Sequence, residues 1–272
     1  MLGKVVTIMA KAARHAQQLT TLPEPYLLAP FDPSTPYKIL AGWNYDAAEI
    51  ARHGMTGHGA VDFGLPYGTA VTAAADGLAV TTWDERWIFN DDGTQRLQDG
   101  VPMTFGQGLT VQIYHGHGRY TQYGHLSQLE DTRRIPFYSP VEDKHGNLPP
   151  DKILRSPVRG YKVSDASAYV RAGETIGYVG LTGGAIGDRS YDRWRSRGEG
   201  KQLLQRDYRT YMEPHLHFVE FRRSLKSREA QRRDPFGLYA ETNAYPLKKE
   251  AWGKDSPAQR HHALWLTDSR DR

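Results

Sequence analysis

Short β-prone runs, cut from one another by Gly, Pro or Asp, dominate the middle of the chain. Ala60–Gly64, Ala70–Ala74, Gly77–Trp83, Gly108–Tyr114, Arg119–His125 and His215–Phe221 read as strands. His215–Phe221 is the clearest. Residues two apart on a strand share a face. His215, His217, Val219 and Phe221 therefore fall on one side, and Leu216, Phe218 and Glu220 on the other. The same alternation over Arg119–Ser127 puts Tyr123 and His125 on a common face.

Around these runs the pattern changes. Thr20–Pro36 is rich in proline, which forbids regular helix and denies ladder hydrogen bonds, so it reads as an extended lead-in. Two polar stretches, Glu130–Ala168 and Ala185–Met212, read as insertions over a β core. After Arg222 the charged run SLKSREAQRRDP predicts a short helix ended before Pro235, and Ala10–Leu19 a short basic helix. The organisation expected is an N-terminal extension over 1–45 and a β domain over 46–222. The domain carries insertions at about 130–168 and 185–212, and a charged C-terminal extension covers 223–272.

Composition narrows the chemistry. The 272 residues include no cysteine, which excludes disulfides, Cys-ligated zinc fingers, iron–sulfur clusters and thiol catalysis. They include 11 histidines, so any metal or acid–base site draws on imidazole and carboxylate. The formal charge of +4 reflects arginines in two late stretches, Arg189–Arg209 and Arg222–Arg233. No nucleic-acid motif accompanies them, so a solvated basic surface is preferred to a nucleic-acid partner. No apolar run reaches the ~18 residues of a spanning helix. The N-terminal apolar stretch Val5–Ala10 is shorter than the ~7–15 residues of a signal core, and Lys11 interrupts it.

Three histidine motifs carry candidate chemistry. In HLHF, His215 and His217 stand side by side and can offer one metal ligand and one base. In HGAVD, His58 and Asp62 lie four apart, and the glycines argue against the helix that would stack them. A full strand would part them by ~13 Å. A glycine-flanked bend before the strand brings them together. His58, Asp62 and His217 then make a two-His, one-carboxylate site with an open position, as catalytic zinc is held, with His215 as general base. His125, in QYGHLSQL, can stabilise a developing oxyanion. GYVGLTGGAIG lacks the spacing and following helix of a phosphate loop and reads as turns. His115 and His117 fall in a glycine turn, and His261 and His262 in a charged tail.

The assembled pattern resembles the lysostaphin-type, or LytM-like, zinc metalloendopeptidases of bacterial peptidoglycan. Three blocks carry the resemblance in the family's order: HGAVDFGLPYGTAVTAAADGLAV, GRYTQYGHLSQL, and the stretch from VRAGETIGYVGLTGG to EPHLHF. It implies an all-β, mainly antiparallel fold of the duplicated hybrid-motif type with a zinc-holding groove. It implies His58, Asp62 and His217 as ligands of one Zn2+, and His125 and His215 as the catalytic pair. The implied substrate is a peptidoglycan peptide, cut at cross-links or bridges, and the implied setting is the cell envelope or outside it. The missing export signal weighs against that setting and leaves the cytoplasm open. Rival readings are a non-catalytic wall-binding or activator relative, and a zinc peptidase with a non-wall substrate. The sequence departs from the family in spacing, with His125 and His215 90 residues apart, and in Glu213 and Val219 around HLHF.

Overall fold

The computed structural model describes residues 26–42, 58–130, 135, 137, 140–148, 169–198, 202–223 and 230–235. The expected helix at 10–19, most of the 130–168 insertion and His261 and His262 lie outside them. The described residues form fourteen strands. They are β1 (Lys38–Ala41), β2 (Val61–Gly64), β3 (Ala70–Thr72), β4 (Gly77–Trp87), β5 (Leu97–Gln98), β6 (Val101–Pro102) and β7 (Thr104–Gly116). The rest are β8 (Arg119–Leu129), β9 (Tyr169–Val170), β10 (Thr175–Val179), β11 (Ala185–Ile186), β12 (Arg209–Thr210), β13 (His215–Arg223) and β14 (Ala230–Arg233). All six predicted runs are strands, and every strand pairing is antiparallel. The fold is all-β and mainly antiparallel. No described helix is long and apolar enough to cross a membrane.

The main sheet runs β1-β2-β13-β8-β7-β4-β9, with β14 beside β13, and β10 bridging β3 and β8. One edge of β8 is shared by two strands laid end to end. Arg119–Gly124 pairs with β13, and Leu126–Leu129 pairs with β10. His125 sits at the changeover. One face of the sheet is the core, where Phe63, Trp83, Leu109, Ile113, Tyr123, Leu126, Leu216 and Phe218 are almost fully buried. Each such side chain contributes roughly 1.5–3 kcal/mol.

The 185–212 stretch is built into that core. Helix α1 (Ser190–Arg197) lays Tyr191 and Trp194 against Trp83, with ring centroids 5.2 and 5.3 Å apart. The helix follows the glycine string closely, where the sequence indicated none; at eight residues its periodicity is too brief to register. Its N-cap residue, Arg189, provides no side-chain cap. Glu85 of β4 substitutes: its carboxylate accepts from the Ser190 N–H (2.8 Å), the Tyr191 N–H (3.0 Å) and Ser190 Oγ (2.9 Å). Thr104 Oγ1 (2.8 Å) and Trp83 Nε1 (3.1 Å) complete the shell. This satisfies the helix's first orphan N–H groups from a distant strand.

Both chain extensions contribute to the sheet. β1 pairs with β2, and the proline-rich segment before it buries Tyr26, Leu27 and Phe31. At the other end the predicted short helix is corrected: Ala230–Arg233 is a strand on β13. The available sheet edge overrides a weak local preference there.

Tyr26 donates to the fully buried Glu220 at 2.7 Å, and no hydrogen bond to the other Glu220 oxygen is found among the described residues. Burial, offset in part by Tyr26, Arg233 and Arg119, pushes this carboxyl up from 4.5 to about 7. The folded state therefore holds a proton that the unfolded chain releases first, and the group's contribution, complete below about pH 4.5, is lost as pH rises to 7. Glu220→Gln retains the Tyr26 bond without the charge. It is expected to raise stability at pH 8 by on the order of 1–3 kcal/mol, with a gap that closes towards pH 5 in urea melts.

Candidate metal centre

Asp62 in β2 lies directly across from His217 in β13, which in turn faces Gly124 in β8. Alternation along β13 sends Leu216 and Phe218 into the core, leaving His215 and His217 on the opposite face with Val219 and Phe221, as expected. His58 reaches the same point from the bend before β2. Gly59 adopts φ +63°, a conformation glycine takes without penalty, and so turns the chain into the strand. His58 Nε2 comes within 3.3 Å of Asp62 Oδ2 and 3.1 Å of His217 Nδ1, while His217 Nδ1 is 2.9 Å from Asp62 Oδ1. His215 Nε2 stands 3.9 Å from Asp62 Oδ2, and the His125 ring centre is 4.5 Å from that of His215. The structure thus brings all five sequence-selected residues together.

The ligand atoms of His58, Asp62 and His217 all lie within 4.8 Å of one another, and this group could hold a metal ion. The donor set fits one: two imidazoles and a carboxylate, buried or nearly so, converge without a cysteine. Burial opposes ionisation of Asp62, yet His58, His215 and His217 together hold its carboxyl well below the usual carboxylate range. Burial lowers His217 to about 4, although Asp62 favours its charged form. For His58 the pull of Asp62 prevails over burial and the shift is upward. Burial, reinforced by His215 and His217, holds His125 well below the ordinary histidine value, as a neutral ring.

Backbone carbonyls orient three of the rings. His58 Nδ1 lies 2.8 Å from the Gly42 oxygen, His125 Nδ1 2.7 Å from that of Thr182, and His215 Nδ1 2.7 Å from that of Glu213. A carbonyl only accepts, so each Nδ1 carries a proton and Nε2 is the nitrogen turned towards the site. These three carbonyls escaped sequence reasoning, since backbone atoms leave no mark in residue type.

One expectation is overturned. Tyr123 and His125 do not share a face: Tyr123 packs on Phe218 in the core, whereas His125 meets His215 and His217. β8 carries an extra residue here. The pairing with β7 passes from Leu109↔Leu126 to Val111↔Tyr123, two steps on one strand against three on the other. His125 takes φ +60° within this bulge, which turns its ring to the opposite side.

The glycine string holds the bulge in place. Gly183 has φ +95°, and a Cβ there would lie 2.3 Å from the Gly106 oxygen and 2.4 Å from the Gly108 nitrogen. That close approach delivers the Thr182 carbonyl to His125 and lets Thr182 Oγ1 accept from the Leu109 N–H at 2.9 Å. Gly183→Ala is expected to cost about 2 kcal/mol or more. A lowered melting temperature, with loss of any activity that depends on His125, is the readout. His115 lies apart from the site. It is buried in β7 between the Asp76 oxygen and Thr121 Oγ1, a structural histidine rather than one in a turn, while His117 does occupy the turn at φ +50°.

No family model matches the sequence, and no curated protein matches it. Among solved structures, the chain is similar to the catalytic domain of the prophage-encoded M23 protein EnpA from Enterococcus faecalis. Identity is 17% over 76% of this chain and 95% of that one, with a TM-score of 0.34. It is also similar to the antimicrobial peptidase lysostaphin from Staphylococcus simulans, at 20% identity over 81% of this chain and 56% of that one, TM-score 0.37. A third is a zinc containing peptidase from Vibrio cholerae, at 16% identity over 76% and 39%, TM-score 0.34. The chain spans little more than half of the lysostaphin chain and well under half of the Vibrio one.

Proposed function

We propose that this chain is a zinc-dependent endopeptidase that hydrolyses peptide bonds in the cross-links or bridges of peptidoglycan. The observation that carries the reading is the convergence of His58 Nε2, Asp62 and His217 Nδ1 on one point, with His125 and His215 beside it. Two imidazoles and one carboxylate would be the donors, leaving a position for the scissile group. When bound, zinc would polarise the peptide carbonyl and lower the pKa of a bound water to about 7.

The chain's own groups supply the rest. His125 and His215 each commit Nδ1 to a carbonyl and present Nε2. His215 Nε2 removes the proton from the attacking water and returns it to the leaving amine. His125 supports the developing oxyanion. The wall substrate and the cell-envelope setting rest on the three sequence blocks.

The test is digestion of purified peptidoglycan by the zinc-loaded protein, with products identified by mass spectrometry and His215→Ala as control. Released peptides or shortened cross-links, absent in the control, support the reading and name the bond. A zinc-loaded protein that releases nothing from wall or model peptides overturns it.

A further inference from the structure

Three of the four site imidazoles are alike in having Nδ1 on a backbone carbonyl, and His217 is the exception. Its Nδ1 is the atom that faces Asp62 and His58, so Nε2 points the other way, 3.1 Å from Gln107 Nε2. An imidazole that offers Nδ1 as a ligand must carry its proton on Nε2, and that proton requires an acceptor. The group hydrogen-bonded to Nε2 is the Gln107 carboxamide.

From this geometry we infer that Gln107, held in turn by Gln122, is a positioning residue that sets the tautomer of His217 and so delivers its Nδ1 lone pair to the metal. The inference rests on the metal-centre reading above. A carboxamide exchanges donor for acceptor by a half-turn of its last torsion, and O and N are otherwise alike in shape. With its nitrogen towards His217, Gln107 supports the Nδ1–H tautomer, which donates to Asp62. With its oxygen there, it accepts from Nε2–H and frees Nδ1. Gln122 Nε2 hydrogen-bonds Gln107 Oε1, and its own amide can turn in concert. Two linked amides therefore serve either state of the site, which a lysine or a carboxylate at 107 could not.

Two further features hold this arrangement. The Gln107 N–H donates to Asp84 Oδ1 at 3.0 Å, which fixes the backbone from which the side chain starts. Gly124, opposite His217, leaves the passage open: a Cβ there would lie 3.1 Å from Gln107 Cβ and 3.4 Å from His217 Cβ.

The experiment compares the full chain with Gln107→Leu and Gln107→Glu. Zinc affinity is measured by competition with a chromophoric chelator, the visible spectrum is recorded after cobalt substitution, and the His217 tautomer is read from its imidazole 15N shifts. Gln107→Leu is expected to weaken zinc binding by about 10–100-fold and to change the cobalt spectrum. Gln107→Glu, whose carboxylate still accepts from Nε2–H, is expected to stay within about threefold of the parent. Leucine binding zinc as tightly as the parent, or glutamate losing as much as leucine, overturns the inference and leaves the metal centre standing. A parent that binds no zinc overturns both. Should Gln107→Leu fail to fold, Gln122→Leu is expected to lose affinity in the same direction, and an unchanged affinity there is equally fatal.

Discussion

Replacing His217 with alanine is expected to strip the centre of zinc and reduce hydrolysis by on the order of a thousandfold or more, whereas His215→Ala keeps zinc and loses activity alone. The difference is geometric. His217 Nδ1 lies 2.9 Å from Asp62 Oδ1 and 3.1 Å from His58 Nε2, inside the ligand group. His215 Nε2 stays 3.9 Å from Asp62 Oδ2, and its ring is held through Nδ1 by the Glu213 carbonyl, to the side of that group. Removing a general base costs typically 10²–10⁴-fold and leaves the ligands in place. Zinc content by atomic emission, set beside the rate of peptide release, separates the two roles. Complete metal loss from His215→Ala would sink the assignment.

Glu85→Ala is expected to have the largest effect on stability, about 3–5 kcal/mol. Five donors converge on this carboxylate, and all five would be left inside the core without their acceptor. Two of them are the first N–H groups of α1, which has no other side-chain cap. Such a loss is a large fraction of the ~5–15 kcal/mol that holds a domain together. Denaturant midpoints measure it. Trypsin gives a second readout, since release of Tyr191 and Trp194 from Trp83 is expected to unwind α1 and speed cleavage at Arg193, Arg195 and Arg197. Glu85→Gln, which keeps an acceptor oxygen, should fall between alanine and the parent. Equal stability of all three would remove Glu85 from its anchoring role.

What the sequence discloses about the site depends on how local the cause is. The two faces of β13 are legible because a period of two is a property of the strand itself. The His58 bend is legible because glycines mark it. The face of His125 is not, since a bulge is set by the pairing of β8 with β7 and leaves no trace in alternation. Gln107 is not legible for a related reason: the β-prone run begins at Gly108, and a lone polar residue between glycines has no meaning until Gly124 and His217 are placed beside it. The strand at Ala230–Arg233 and the helix at Ser190–Arg197 are likewise decided by what they pack against.

The position of β13 in the sheet also fixes the order in which the molecule can be completed. It is an interior strand, flanked by β2 and β8, yet nearly all the rest of the sheet precedes it in the chain. During synthesis β2 and β8 therefore wait with facing edges unpaired until the segment from His215 onwards has emerged, and closing that gap brings together residues as far apart as His58 and His217, 159 positions. Pairings of such separation are the slow ones in folding. The last interior strand to arrive is also the one that carries His217. A nascent chain therefore cannot bring His58, Asp62 and His217 together until its architecture is closed, and the proposed activity would stay latent until then.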